Sequence, residues 1–403
     1  MIHCGQPQIG QVERANVMAA MDSGQVTEGK WVKTFAQRLS GVLGDRPVVP
    51  VSSGTAALHV ALLAVGVQPG DEVIVPATTY VATANAALLC GATVRVADVD
   101  EKSWTLDPSA MSDLLTEKTT AVVPVHLYGV PADIEAIEDE LERHYRRTGR
   151  RVAIVEDCAE ALGAATTLGK VGTLGDAAAF SFYGSKTITT GGEGGAVSWS
   201  DWRVGGRAEH ISHQSMTDSR YVHDCIGFNY RMTEMQAAFG VAQLGRLNEF
   251  IDKRRQVFEW YDERLGPQDW VGTQRLPDGF THGYWAYAIR TRSLARRVAE
   301  AMLEQGVETR PVFPPLWQFP HIGGRTAHYL DLRTIGNPKR KPVRRAAPPP
   351  RRKPTGSPAH VQQPLLDETI AEDISNWGLI LPTHCGLSEA DVDQVCEVLK
   401  RCV

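Results

Sequence analysis

A single lysine, Lys186, lies in a polar stretch from Ser181 to Gly195 (SFYGSKTITTGGEGG) that could bring an amine close to a ligand. The apolar run at 178–182 predicts the end of a buried strand. A lysine at the mouth of such a strand can be held partly as the neutral amine, because burial disfavours the ammonium, and a neutral amine forms Schiff bases with carbonyl compounds. The glycines that follow let backbone approach a flat ligand closely. By itself, the stretch favours a surface lysine beside a flexible hairpin.

A second chemical signal is the small polar sequence Ser52–Ser53–Gly54–Thr55, which opens onto the apolar run 56–65. This run predicts a helix that ends at Gly66. The free N–H groups and the dipole at a helix N-terminus favour a phosphate. The sequence is not a nucleotide P-loop, because no Gly-Lys-Ser/Thr follows. An ordinary serine cap on a buried helix explains the same residues.

The acid Asp157 follows a predicted buried strand and needs a basic partner, because an unpaired buried carboxylate is costly. A protonated pyridine nitrogen or an arginine would serve. Glu160 could face the same ligand from the next turn. Together, Asp157 and Lys186 match the two ends of a pyridoxal phosphate site, where the lysine forms a Schiff base and the acid keeps the ring nitrogen protonated.

The elements that must position these residues alternate regularly along the chain. Strand, helix and strand at these spacings predict an α/β protein with a parallel, doubly wound sheet, in which ligands bind beyond the carboxyl ends of the strands. Tyr80, His126, Asp157 and Lys186 all fall at predicted strand exits. The strands are predicted at 72–76, 93–96, 121–125 and 152–155, and the helices at 56–65, 81–89 and 131–147.

Length and composition place the chain among ordinary globular enzymes. Its 403 residues allow one large and one small domain. A formal net charge of -5 gives no global reason to expect nucleic acid or an anionic membrane as partner. No apolar run reaches transmembrane length, and residues 1–10 lack the pattern of a signal peptide. Seven scattered cysteines without metal spacing favour reduced thiols, and so a cytoplasmic location, over a disulfide framework or a metal site.

These motifs resemble the DegT family of sugar-nucleotide aminotransferases, a branch of the fold-type-I pyridoxal phosphate enzymes. The resemblance covers nearly the whole chain. The matching stretches are VSSGTAALHVAL, GDEVIVPATTYVATANAALLCGATVRVADVD, VVPVHLYG, VEDCAEALGA, GTLGDAAAFSFYGSKTITTGGEGG, GFNYRMTEMQAA, GVETRPVFPP and LPTHCGLSEADVDQV.

The resemblance implies roles for individual residues. Lys186 would be the Schiff-base lysine and general base, and Asp157 the partner of the pyridine nitrogen. Glu160 would lie near the ring hydroxyl of the cofactor, either protonated or turned to the sugar, and Tyr80 would stack on the ring. Asn229 would reach the phosphate of the neighbouring subunit's cofactor, which requires a homodimer. Without the resemblance, a loop cap before the helix at 233 is the preferred explanation of Asn229. The phosphate would be held by Gly54, Thr55 and Ser181.

The implied reaction moves an amino group from an amino acid, glutamate by expectation, to a nucleotide-linked keto-deoxysugar. Glu160, where many relatives carry glutamine or histidine, the wording FYGSKTITTGGEGG and the LPTH ending resemble family members that aminate GDP-4-keto-6-deoxymannose at C4. A 3-aminotransferase acting on a related GDP- or dTDP-ketosugar, or on a cyclitol ketone, is the alternative.

Two other functions stay open. A sugar dehydratase of the same fold would resemble this family with histidine at the lysine position, so Lys186 argues against it. A cofactor-binding regulator or structural partner without turnover is the alternative from another class, and the intact Lys186, Asp157 and Ser181 set argues against it.

The C-terminal part predicts a small α/β domain, with the large domain at 1–250 and the small one at 251–403. A sugar-nucleotide cleft could be lined by Trp285 together with the candidate substrate residues, one of which, His126, belongs to the large domain. Aromatic residues at these positions fit a domain core equally well. Residues 333–366 hold nine basic residues, eight prolines and no acid. They contribute +9 to the net charge of -5, so the rest of the chain carries -14. This segment predicts a disordered basic insertion. A solvated loop or a locally altered reading frame is favoured over a flap that attracts a nucleotide diphosphate. The substrate candidates are His126, Arg310, Phe313 and Trp317.

Overall fold

The strands form one large and one small sheet in the computed structural model, which describes residues 1–323, 326–327 and 369–403. In chain order the strands are β1 (Val48–Val51), β2 (Glu72–Pro76), β3 (Thr93–Ala97), β4 (Thr119–Val122), β5 (Ala153–Asp157), β6 (Ala165–Thr166), β7 (Gly169–Lys170), β8 (Ala177–Ser181), β9 (Gly195–Trp199), β10 (Val271–Thr273), β11 (Tyr287–Thr291), β12 (Arg310–Pro311), β13 (Thr326–Ala327) and β14 (Gly378–Leu381).

The large sheet has the order β1-β9-β8-β5-β4-β2-β3-β13. Strands β8, β5, β4, β2 and β3 pair in parallel, β9 runs antiparallel between β1 and β8, and β13 runs antiparallel at the edge next to β3. The small sheet, β10-β11-β14-β12, is antiparallel. Strands β6 and β7 form a separate hairpin.

Twelve helices surround these sheets in the described residues. They are α1 (Gln11–Asp22), α2 (Lys30–Val42), α3 (Gly54–Val65), α4 (Ala82–Leu89), α5 (Pro108–Ser112), α6 (Ile134–Thr148), α7 (Trp202–Ser212), α8 (Glu234–Leu244), α9 (Leu247–Leu265), α10 (Ala295–Glu304), α11 (Ile370–Trp377) and α12 (Glu389–Cys402).

The large sheet is covered on both faces, as a doubly wound sheet requires. In β2, Val73 and Val75 belong to one core cluster, whereas Ile74 belongs to another, because successive strand residues point to opposite faces. The first cluster holds the apolar residues of α3, and the second holds those of α6. Buried on both faces, the parallel strands read as continuous apolar runs, which is why the sequence predicted them.

Helix α3 shows how local sequence sets the start of an element that forms the site. Ser53 caps it by accepting a hydrogen bond from the N–H of Ala56 at 3.1 Å, and Gly66 ends it in the left-handed conformation at φ 102°. The predicted cap and the predicted end are therefore both confirmed.

Other predicted elements are confirmed with shifted bounds. The strand expected at 121–125 is β4, Thr119–Val122, and the helix expected at 131–147 starts at Ile134. Asp133 sets that start, because its side chain accepts a hydrogen bond from the N–H of Ala136 at 3.0 Å. Strand β5 extends two residues further than expected and includes Asp157 as its last residue.

The division into domains at residue 250 stays a prediction, and that position falls inside α9. Phe250 packs in a core cluster with residues of the large sheet, whereas Val257 packs in the core beside the small sheet. The chain crosses between these regions again at its start, where Ile2 bridges to Val307. The predicted insertion at 333–366 lies outside the described residues.

Two further expectations concern the chain as a whole. None of the helices in the described residues is long and apolar enough to cross a membrane. The seven cysteines all lie in the described part and are free thiols.

Candidate active site

The carboxyl ends of the parallel strands, the N-terminus of α3 and the start of the small sheet enclose a cavity of about 640 Å³. The structure brings nine of the twelve residues predicted for the site to its wall. These nine are Gly54, Thr55, Tyr80, Asp157, Glu160, Ser181, Lys186, Arg310 and Phe313.

Lys186 is held at the wall by a carboxylate and an aromatic face. Its Nζ donates a hydrogen bond to Oε1 of Glu160 at 3.1 Å and lies 4.1 Å from the ring centroid of Trp285. The Lys186 side chain is 14% exposed, so the ion pair is largely shielded from solvent. The indole is itself anchored, because its Nε1 donates to the carbonyl of Ser185 at 2.8 Å. The lysine amine therefore has one defined position in the cavity.

Asp157 lies at the buried end of the cavity, where β5 ends. Its Oδ2 accepts a hydrogen bond from Oγ1 of Thr83 at 2.8 Å, and its Oδ1 accepts one from the N–H of Ala159 at 3.1 Å. Burial raises the pKa of Asp157, although these hydrogen bonds and the nearby Lys186 oppose the shift. The described residues give this carboxylate no ion-pair partner within bonding distance. It is a charge that a cationic ligand would stabilise.

Glu160 is almost fully buried and has both oxygens occupied. Oε1 accepts from Lys186, and Oε2 accepts from the N–H of Tyr128 at 3.0 Å. Burial raises the pKa of Glu160, and the positive charge of Lys186 offsets part of that shift. Tyr128 presents its N–H from a backbone with φ 58°, a conformation uncommon for a residue other than glycine.

The first turn of α3 and the end of β8 form a possible anion site. Ser53 satisfies the N–H of Ala56, which leaves those of Gly54 and Thr55 without an acceptor among the described residues. Ser181 stands beside them, so close that a Cβ at position 54 would lie 2.7 Å from the Ser181 Cβ. Only glycine at position 54 allows this approach.

Aromatic side chains and one arginine form the outer wall. The rings of Tyr80 and Phe313 lie 5.9 Å apart, and the Tyr80 side chain is 59% exposed. In the described residues the guanidinium of Arg310 has no hydrogen-bond or ion-pair partner. Gly5 makes room for it, because a Cβ at position 5 would lie 3.2 Å from an Nη atom of Arg310.

Three predicted residues do not line the cavity. His126 is fully buried and faces the sheet interior: its Nε2 lies 3.1 Å from Oε2 of Glu156, and its Nδ1 accepts from the N–H of Ala132 at 3.0 Å. The structure thus corrects its assignment to the substrate. Trp317 packs against the core of the large sheet. Asn229 is exposed, away from the cavity of its own chain.

Sequence reasoning missed residues that the site needs. Thr83 is one, and the N-terminal segment with Gly5 and Pro7 is another. Arg254 is the third, a buried side chain that donates hydrogen bonds to the carbonyls of Lys186 and Trp285. The threonine sits in the TTYVAT stretch that the sequence marks as a strand exit, but the other segments carry no local signal.

The cavity fits pyridoxal phosphate on three grounds. A primary amine enters it, a buried carboxylate without a cationic partner within bonding distance forms its inner end, and an unfilled helix N-terminus beside a serine provides for a phosphate. Lys186, Asp157 and the Gly54–Ser181 pair would hold the cofactor. Fold and site together define the class of fold-type-I pyridoxal phosphate enzymes.

Comparisons with known proteins narrow this class. Residues 7–330 match the model of the DegT/DnrJ/EryC1/StrS aminotransferase family. A GDP-perosamine synthase of Caulobacter vibrioides is 35% identical over 99% of this chain and 98% of its own, and one of Escherichia coli O157:H7 is 38% identical over 78% and 85%. The crystal structure of the aminotransferase TlmJ from Streptoalloteichus hindustanus superposes with a TM-score of 0.81 at 28% identity, covering 100% of this chain and 98% of that one. The chain therefore belongs to the DegT/DnrJ/EryC1/StrS family, whose members are pyridoxal phosphate-dependent aminotransferases.

Proposed function

We propose that this chain transfers the amino group of L-glutamate to C4 of GDP-4-keto-6-deoxymannose. The observation that carries the reaction class is the placement of Lys186 and Asp157 on the wall of one cavity. The choice of sugar rests on the relatives named GDP-perosamine synthase, which match most of the chain at 35–38% identity.

Each residue of the cavity has its own role in the proposed reaction. Bound pyridoxal phosphate supplies a ring that takes up negative charge from the carbon that loses its proton. Asp157, at the buried end of the cavity, would hold the ring nitrogen and favour its protonated form. Lys186 moves the proton at its Nζ, and Glu160 and Trp285 hold that atom in place. Gly54, Thr55 and Ser181 would hold the phosphate, and Tyr80 would lie against the ring.

Arg310 binds the carboxylate of the amino-acid donor. Apart from Lys186 it is the one cationic side chain on the cavity wall formed by the described residues. A guanidinium is a planar fork that matches a carboxylate with two parallel hydrogen bonds. A Cβ at Gly5 would lie 3.2 Å from this guanidinium and 3.7 Å from the Cβ of Ser185, so the guanidinium lies near the residue that precedes Lys186.

The active form is a homodimer in the cytoplasm. The exposure of Asn229 outside the cavity of its own chain fits a role toward the neighbouring subunit's cofactor phosphate. The seven free thiols fit a reducing compartment.

The test is to incubate the holoprotein with glutamate and a panel of GDP- and dTDP-linked ketosugars and one cyclitol ketone, with product masses as readout. We expect amination of GDP-4-keto-6-deoxymannose with release of one 2-oxoglutarate per product. Products only from another ketone would overturn the choice of sugar. Loss of water without 2-oxoglutarate would indicate a dehydratase, and a bound cofactor that glutamate cannot convert would indicate a protein without turnover.

A further inference from the structure

Arg254 is a buried positive charge without a carboxylate partner in the described part of the chain. It lies in α9 and is 5% exposed. An arginine in such a place costs stability, because its charge loses hydration and no counter-charge replaces it. Its Nε also lacks a hydrogen-bond partner there. A buried charge without a counter-charge, kept despite its cost in stability, is typical of residues retained for function.

The hydrogen bonds that Arg254 does make converge on the lysine of the active site. One Nη donates to the carbonyl of Trp285 at 2.9 Å, and the other donates to the carbonyl of Lys186 at 3.3 Å. The arginine therefore joins the lysine loop to the segment that carries the indole.

These two segments must keep their relative position for the amine to be placed. Trp285 contacts the lysine loop twice, through its Nε1 bond to Ser185 and through the 4.1 Å contact of its ring with Nζ. Both contacts depend on the backbone that Arg254 fixes. A shift of about 1 Å in a reacting group can cost 10²-fold in rate.

We infer that Arg254 is a positioning residue, which fixes the backbone of Lys186 and Trp285 so that the Lys186 amine stands at the reacting atom. The inference rests on the aminotransferase class and does not depend on which sugar is used. The guanidinium is not part of the cavity wall formed by the described residues.

The chain offers a matched control in Arg46. Its two Nη atoms also donate to two backbone carbonyls, those of Thr173 and Gly175, at 2.6 and 2.5 Å, and it lies outside the cavity wall. Arg46→Lys and Arg254→Lys each lose a guanidinium that donates to two backbone carbonyls at once. Any effect that is merely structural should appear in both variants.

The experiment compares Arg254→Lys, Arg254→Met and Arg46→Lys by two readouts. In apoprotein, carbamylation of Lys186 by cyanate is followed by peptide mass spectrometry, with exposed Lys170 as the internal standard. In holoprotein, single-turnover conversion of the cofactor by glutamate is followed by absorbance at saturating glutamate.

We expect both Arg254 variants to carbamylate Lys186 several-fold faster, because the amine is no longer held, and to slow the single turnover by about 10- to 100-fold. Arg46→Lys should leave both values unchanged even if its melting temperature falls. Equal carbamylation and turnover in Arg254→Lys and Arg46→Lys would overturn the inference, and this comparison decides it if Arg254→Met does not fold. A different sugar substrate would alter neither readout.

Discussion

Glu156 and Asp157 are neighbours in β5, yet their carboxylates lie in opposite environments. Glu156 points into the sheet interior, where its oxygens accept hydrogen bonds from His126 and from three backbone N–H groups. Burial acts to raise the pKa of Glu156, but these bonds outweigh it and leave the pKa lowered. Asp157 points into the cavity, where burial raises its pKa. One carboxylate is therefore satisfied by the fold, and the other is left for a ligand.

Asp157→Asn should change the pH dependence of apoprotein stability. Because the folded-state pKa of Asp157 is raised above its ordinary value of 3.8, its contribution to stability is complete below that value and is lost as the pH rises through the folded pKa. Asparagine does not titrate. Melting temperatures measured from pH 4 to pH 8 should therefore fall in the wild type relative to the variant, by a few degrees.

Bound cofactor should favour the wild type over Asp157→Asn in melting temperature. A protonated ring nitrogen gives the wild-type carboxylate its partner, so pyridoxal phosphate should raise the melting temperature of the wild type more than that of Asp157→Asn. We expect kcat to fall on the order of 10²- to 10³-fold in the variant. Parallel melting curves across the pH range, with and without cofactor, would contradict this role for Asp157.

Lys186→Ala should abolish covalent attachment of the cofactor. Borohydride reduction of wild-type holoprotein should leave the label on the peptide that contains Lys186, and kcat of the variant should fall on the order of 10³-fold, because the proton carrier is lost. Lys170→Ala is the control, since that exposed lysine lies outside the cavity wall and its Nζ donates to the carbonyl of Val42. A label on any other lysine would sink the proposed mechanism.

Strand geometry explains which residues of this site the sequence could predict. Apolar runs such as 72–76 identified the buried parallel strands, and their carboxyl ends meet at one edge, so Tyr80, Asp157 and Lys186 were placed together correctly. The same rule failed for His126. A strand exit fixes where the backbone lies, but the direction of a side chain depends on partners elsewhere, here Glu156.

Residues that reach the site from distant segments gave no local signal. Arg254 lies on a helix whose sequence reads as an ordinary amphipathic surface helix, and Gly5 lies near the chain start. Their importance comes from contacts made only after the small sheet packs on the large one. Asn229 remains a prediction because a single chain does not contain the interface between subunits. The division of domains at residue 250 also remains a prediction, and that position falls inside α9.

Gly54→Ala should weaken cofactor binding through a steric effect. The new Cβ would lie 2.7 Å from the Ser181 Cβ, so α3 and β8 must move apart where the phosphate binds. We expect loss of about 1–3 kcal/mol of stability and a clearly higher Kd for pyridoxal phosphate by fluorescence titration.

Gly41→Ala is the matched control. Gly41 lies inside α2, and beyond its chain neighbours and the backbone of its own helix no atom of the described residues lies within 4 Å of a Cβ at this position. Alanine there should raise the free energy of unfolding by about 0.5–1 kcal/mol and leave the cofactor Kd unchanged. Unaltered cofactor affinity in Gly54→Ala would argue against the proposed phosphate site.

Arg310→Gln should impair the use of glutamate by removing a two-point contact with the α-carboxylate. A charge-assisted contact of this kind supports a loss of about 10- to 100-fold in kcat/KM for glutamate. The α-amide of glutamate lacks that carboxylate, so its kcat/KM should be low for the wild type. Arg310→Gln should not lower that value further. Arg292→Gln is the control, because Arg292 is exposed and pairs with Asp269.

Other outcomes for Arg310 would reassign it. If the variant used glutamate normally but bound the nucleotide sugar weakly, the guanidinium would serve the diphosphate. If kcat/KM fell equally for glutamate and for its α-amide, Arg310 would act on the shape of the cavity and would not bind the carboxylate.

Asn229→Ala should complement Lys186→Ala when the two chains form mixed dimers. If Asn229 serves the partner's cofactor, each variant alone is inactive, but a hybrid dimer has one site with both residues intact and one with neither. Random mixing makes half of the dimers hybrid, so about a quarter of wild-type turnover should return. Mixing Lys186→Ala with Asp157→Asn is the control, because both residues belong to the same cavity and every site of a hybrid stays defective. Recovery in the first mixture alone would place Asn229 across the dimer interface, whereas no recovery in either would show that it acts within its own chain.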